Sequence, residues 1–251
     1  MRVKQLVVIN LCDSFNVVAD LEKPHQLVED REVAYGLFQK HVSRTDGTAP
    51  KAAWWIEVNN TAATGDAQNL EAGKDFRIVL PANGVFDGVD PTEKDVGVYI
   101  VYHGKQSSDP NIFGVVSNEP AVKKDLQATR LVGILAKLKI RPIRKLSLVA
   151  CHSDSGKTAA SKNFLVAFGK QIEEWGDDRP MIAGYDDYVT AGWKDGHKVA
   201  KQGGTVKATG HKHVWCYKKG TFSDGYKEVE LVNSGWSDKY NLPTNNNAAV
   251  F

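Results

Sequence analysis

The feature that most restricts this chain is a pair of short apolar runs, each ending in a side chain that can do chemistry. The first, Leu146 to Ala150, stops at Cys151-His152 and then turns polar through Ser153, Asp154, Ser155 and Gly156. A run this short suits a strand of a parallel sheet with both faces covered. Beyond it Ala160, Phe164, Leu165, Phe168 and Ile172 recur at three- and four-residue steps, the period of an amphipathic helix. Cys151 is therefore expected at the carboxyl end of a strand, just before a crossover helix. In open α/β sheets that edge is where ligands bind.

The second run, Val96 to Tyr102, ends at His103-Gly104. A thiol nucleophile needs a base or acid within reach. Two parallel strands, one delivering Cys151 and the other His103, would bring both to one sheet edge. Read alone, a cysteine at a strand end is a buried structural thiol, and a lone histidine is a satisfied core residue. The pairing is what turns the argument toward catalysis.

The remaining segments complete an α/β pattern. Strands are expected over Val3–Leu11, Trp54–Val58, Phe76–Leu80 and Pro180–Gly184. Helices are expected over Leu27–Val42, from Pro120 to about Leu138, and from about Ala159 to Trp175. Lys105 to Asn118 reads as a loop. Lys198–Lys201 and Thr205–Thr209 flank Gln202-Gly203-Gly204 as a hairpin, and His213–Lys218 and Tyr226–Val232 would extend it. The economical reading is one domain over residues 1–235, mostly parallel at its centre, with a β appendage near 194–232. Residues 236–251, with Asn245-Asn246-Asn247, read as a loose tail.

No apolar run in the 251 residues approaches the roughly 20 needed to cross a bilayer. The apolar patch near the start, Leu6 to Leu11, lacks a small-residue cleavage site and reads as a first strand, not a signal peptide. Three cysteines (Cys12, Cys151, Cys216) are no disulfide framework. The expected setting is the cytoplasm, or export without a signal peptide, including delivery into a host cell. Cys12 reads as core.

Charge is unevenly spread. Lys194, Lys198, Lys201, Lys207, Lys212, Lys218 and Lys219 fall in one 26-residue segment with a single acid, Asp195. That local excess of six in a chain of net charge +2 leaves four net negative charges elsewhere. Such asymmetry points to an anionic partner, against the plainer reading of a solvated lysine face.

A strand ending His-Gly, followed 48 positions later by a strand ending Ala-Cys, resembles the caspase-like (clan CD) cysteine peptidases, the group of caspases, legumain, clostripain, gingipains and separase. Within it the chain is most similar to the self-cleaving cysteine protease domain of RTX and large clostridial toxins, over roughly Val96 to Lys219. The resemblance implies a mostly parallel central sheet flanked by helices, with a C-terminal basic hairpin or flap. It implies Cys151 as the attacking thiolate and His103 as the proton donor to the leaving amine. The backbone N–H groups of Gly104 and Cys151 would hold the oxyanion.

The same resemblance assigns Ile182 to Tyr188 to the specificity pocket, with Ala183, Tyr185, Asp186 and Asp187 lining it. The two acids would favour a basic residue before the cut, whereas the toxin domains prefer leucine. A third catalytic residue, where the family has one, is an acid upstream of the histidine, and Glu57 is the candidate by position. The chemistry implies no cofactor. The toxin domains are activated by inositol hexakisphosphate, and the seven lysines match that site in type and place.

Three other readings compete. Gly156-Lys157-Thr158 after a strand suggests a phosphate-binding loop, but the pattern requires glycine where Cys151 stands. His211-x-His213-x-x-Cys216 suggests zinc, without an evident fourth ligand or a standard spacing. No nucleic-acid motif accompanies the basic segment. A caspase-like domain kept as a binding module, with an idle pair, is the remaining alternative. His152, next to Cys151 on a strand, would point the other way.

Overall fold

Eight strands form the central sheet, in the order β14-β13-β9-β8-β4-β1-β2-β3. In chain order these are β1 (Gln5–Cys12), β2 (Ala52–Asn59), β3 (Phe76–Leu80), β4 (Val96–Val101), β8 (Lys145–Val149), β9 (Met181–Tyr185), β13 (Lys212–Lys218) and β14 (Gly225–Val229). The five central strands, β2-β1-β4-β8-β9, run parallel. β3 on one side and β13 and β14 on the other are antiparallel.

The computed structural model describes residues 3–12, 15–16, 19–22, 27, 29–59, 70–104, 112–115, 125–150, 164–176, 179–185, 190–194, 197–202, 206–207, 212–218 and 225–229.

Among the described residues three helices cover the sheet: α1 (Glu29–Val42), α2 (Ala128–Lys137) and α3 (Phe164–Gly176). Crossovers of one hand that move in opposite directions across a sheet must lie on opposite faces. The chain obeys this. The β1–α1–β2 crossover moves one way, and Ala34 and Phe38 of α1 pack with Leu6, Val8, Trp55, Tyr99, Val101 and Val149. The crossovers through α2 and α3 move the other way. Leu131, Leu135, Phe164 and Phe168 pack with Val7, Ile9, Val98, Ile100, Leu146 and Leu148 on the opposite face. Strand residues therefore alternate between two cores, and all of β4, β8 and β9 is buried.

The end of α2 shows how local chemistry sets a boundary. Ile140 N–H donates to Leu135 C=O and Lys139 N–H to Ala136 C=O, the two bonds of a Schellman stop. Lys139 takes the left-handed conformation, φ 53°, that this stop needs. Gly88 packs directly on it: a Cβ there would lie 2.7 Å from Lys139 Cβ, and its own φ is +107°.

Two small antiparallel sheets stand apart from the main one. The first comprises β5 (His103–Gly104), β6 (Ile112–Val115) and β7 (Asp125–Gln127), and it hangs from the carboxyl end of β4 before the chain enters α2. The expected loop over 105–118 therefore contains a strand. The expected helix from Pro120 is also corrected: residues 125–127 are extended and the helix begins at Ala128. The second small sheet is β10 (Thr190–Lys194), β11 (His197–Gln202) and β12 (Val206–Lys207), in that order, with β10 and β11 against α1. β13 and β14 do not extend this hairpin. They join the main sheet through β9, because Val214, Trp215, Cys216 and Tyr217 are apolar enough to be buried there.

Candidate functional site

The ladder between β4 and β8 builds the site. It runs in parallel register from Gly97↔Lys145 to Val101↔Val149. His103 and Cys151 each follow that last pair by two positions. Val101 and Val149 both lie in the core on the α1 side. His103 itself is half-buried and opposes Val115 across β5 and β6, with Gly104 opposing Gly114. Ala150 is buried. Cys151, His152 and the Gly156-Lys157-Thr158 stretch lie outside the described residues.

The strand order reverses between β1 and β4, so the rim beside His103 is the switch point where open α/β sheets form their ligand crevices. One row below it, Glu57, Asn10, Val101 and Val149 stand side by side on β2, β1, β4 and β8. Asn10 is fully buried, and neither its amide oxygen nor its nitrogen has a hydrogen-bond partner among the described residues. A buried amide left so costs about 1–3 kcal/mol. Nothing in an apolar strand pattern singles out Asn10 beyond its being the one amide in Leu6 to Leu11.

Glu57 is fully buried and held by two arginines. Arg31 of α1 donates through Nε to Oε1 at 2.7 Å and through Nη2 to Oε2 at 3.0 Å. Arg77 of β3 donates to Oε2 from Nε at 2.9 Å and Nη2 at 2.6 Å. The Arg77 guanidinium also lies over the Phe15 ring, 4.9 Å from its centroid. With both oxygens engaged, Glu57 serves as the clamp that ties α1 and β3 to β2.

Of the pocket residues, Ala183 and Tyr185 lie in β9 and are buried in the main sheet. Ala183 stands between Ser147 and Val214, and Tyr185 pairs with Lys212. Burial pushes the Tyr185 hydroxyl up to about 12. Asp186 and Asp187 lie outside the described residues.

The lysines are divided between two sheets. In the small sheet, Lys194 pairs with His197, and Lys201 pairs with both Thr190 and Lys207. By this register positions 194, 197, 201 and 207 share one face, and Lys198 falls on the other. Lys212 and Lys218 are the two ends of β13 in the main sheet, and Lys219 lies outside the described residues. His213 and Cys216, three apart on β13, fall on opposite faces, which does not suit a shared metal.

Searches of the sequence against protein-family models and against curated proteins return no significant match. The class that the coordinates define is an α/β protein, with a largely parallel sheet between helices. Among the described residues no helix is long and apolar enough to cross a membrane.

Proposed function

We propose that this chain is a cysteine endopeptidase of the caspase-like type, acting through Cys151 and His103. The observation that carries the reading is the pairing of β4 with β8, parallel and with Val101 opposite Val149. Neighbouring strands in that register are what a thiol and an imidazole need if they are to meet one peptide bond. The strand order β2-β1-β4-β8-β9, with helices on both faces, is compatible with the caspase-like fold.

In this reading the Cys151 thiolate attacks the scissile carbonyl, and the backbone N–H groups of Gly104 and Cys151 receive the oxyanion. Losing one such donor costs about 10²–10³ in rate. His103 protonates the leaving amine, giving an acyl-enzyme that water then hydrolyses. Asp186 and Asp187, following Tyr185, would set the preference at the cut. The chemistry needs no metal or organic cofactor.

The lysine-bearing sheet is read as the flap of the same machinery, with an inositol polyphosphate as its ligand. Lys194, Lys198, Lys201 and Lys207 lie on its strands, and a polyanion that binds only the ordered sheet would favour it. Autoprocessing is the reaction this arrangement suits, since the toxin domains it resembles cut their own chains.

The deciding experiment incubates the purified protein with a peptide library, with and without inositol hexakisphosphate, and maps any cuts. Labelling of Cys151 by a thiol-reactive peptide supports the enzyme. Peptide binding without cleavage or labelling points to a binding module, and stabilisation by ATP to the phosphate-loop reading.

A further inference from the structure

Trp55, Ser147 and Asn10 are fully buried on the α1 side of the main sheet, and each has a side-chain polar atom without a hydrogen-bond partner among the described residues. Trp55 and Ser147 stand in the row of Val8 and Tyr99, and each leaves a single atom unpaired. Asn10 differs in depth and in degree. It stands one row nearer the carboxyl edge, between Glu57 of β2 and Val101 of β4, and both ends of its amide are unpaired. The Glu57 carboxylate beside it turns to Arg31 and Arg77 instead.

The rest of β1 nearby is Leu6, Val7, Val8, Ile9 and Leu11, all buried and apolar. A leucine at position 10 would have the same branched shape and would leave no polar group unpaired. An amide kept there against that gain points to a ligand that pairs it. Asn10 is also placed to meet one. It lies two residues, about 6.6 Å, inside the end of its strand, at the reversal of strand order where α/β sheets open their crevices.

The amide selects the chemistry. Its oxygen accepts and its nitrogen donates, side by side. A carboxylate would answer the nitrogen but set a second acceptor against the oxygen. An ammonium would do the reverse, and an alkyl group would answer neither. A carboxamide supplies one donor and one acceptor and satisfies both. We propose that Asn10 is the base of a recognition site for a carboxamide that enters from the rim between β1 and β4. The inference rests on the peptidase reading for its occupant, which is a glutamine or asparagine side chain of the substrate, close to the scissile bond.

The test compares the wild type with Asn10→Leu on peptides that differ only in glutamine, asparagine, glutamate, lysine or leucine at each position around the cut. At one fixed position the wild type should favour the two amides by about 5- to 150-fold in kcat/KM, the worth of one unpaired buried group. Asn10→Leu should bring that ratio close to one. Without peptide, the same variant should melt about 2–4 °C higher, because it removes the unpaired amide. If both Asn10→Leu and the smaller Asn10→Val melt lower, the amide is already satisfied and the proposal falls. Cleavage without an amide preference removes this inference and leaves the peptidase standing. Where nothing is cleaved, binding of the same peptides by fluorescence anisotropy decides. Amide-selective binding that Asn10→Leu loses keeps the site and drops the peptidase, and no binding drops both.

Discussion

Val101 stands directly opposite Val149 in the parallel ladder between β4 and β8. Neither valine does chemistry. Their pairing matters because it sets the level at which the two strands finish, and each is followed two positions on by a reactive residue, His103 or Cys151. Any slip of one residue in this ladder would turn one of the two strands' side chains to the opposite face.

The dyad reading gives the first prediction. Cys151→Ala should abolish peptide cleavage, and His103→Ala should lower it by about 10²–10⁴. Both variants should unfold cooperatively at temperatures close to the wild type. Residual wild-type cleavage in Cys151→Ala would end the assignment.

The second concerns the basic sheet. Inositol hexakisphosphate at 100 times its dissociation constant should stabilise the protein by about 2.7 kcal/mol, less so at high salt. Lys201→Gln tests one lysine of that sheet. The ligand-induced thermal shift should shrink in this variant. A shift that is the same in both proteins would exclude Lys201 from the anion site.

Glu57 provides a third. Glu57→Gln removes the carboxylate that pairs with Arg31 and Arg77, and breaking a buried pair costs about 3–5 kcal/mol. Urea denaturation should show that loss. A variant as stable as the wild type would mean that Glu57 is not the clamp between α1, β2 and β3.

Alkaline pH supplies the fourth. Burial raises the Tyr185 hydroxyl to about 12 and raises that of Tyr99 also. A raised folded value means that the unfolded chain loses its proton first, near 10. Stability is therefore intact below pH about 10 and is lost as pH climbs toward 12. Ultraviolet absorbance of tyrosinate should show Tyr99 and Tyr185 ionising only with unfolding; early ionisation of all eight tyrosines would contradict their burial.

Several elements were legible before any coordinates. Phe76–Leu80 matches its strand residue for residue, and the strands around Val98, Leu148 and Ile182 differ from expectation by one residue at their ends. The last three are buried along their whole length, so most of their residues are apolar and the signal is dense. The strands of the small sheets are two to six residues long. In them Gly114 and Gly192 dilute the pattern, and β6 and β10 carried too little signal to be read. For the site, the two strand ends were readable, while Asn10, Arg31 and Arg77 were not. Each is a polar residue whose meaning depends on a neighbour that is distant in sequence.

What the chain's own order of residues decides is where strands and helices form and which reactive side chains stand at their ends, because burial imposes a local period. What only the tertiary structure decides is who sits beside whom. That β4 neighbours β8 in register, that Glu57 lies between two arginines, that β13 leaves the basic hairpin for the main sheet, and that Asn10 stands beside Glu57 all depend on pairing between distant segments. Such pairing is settled by the packing of the whole sheet between its helices, and no local run of residues encodes it.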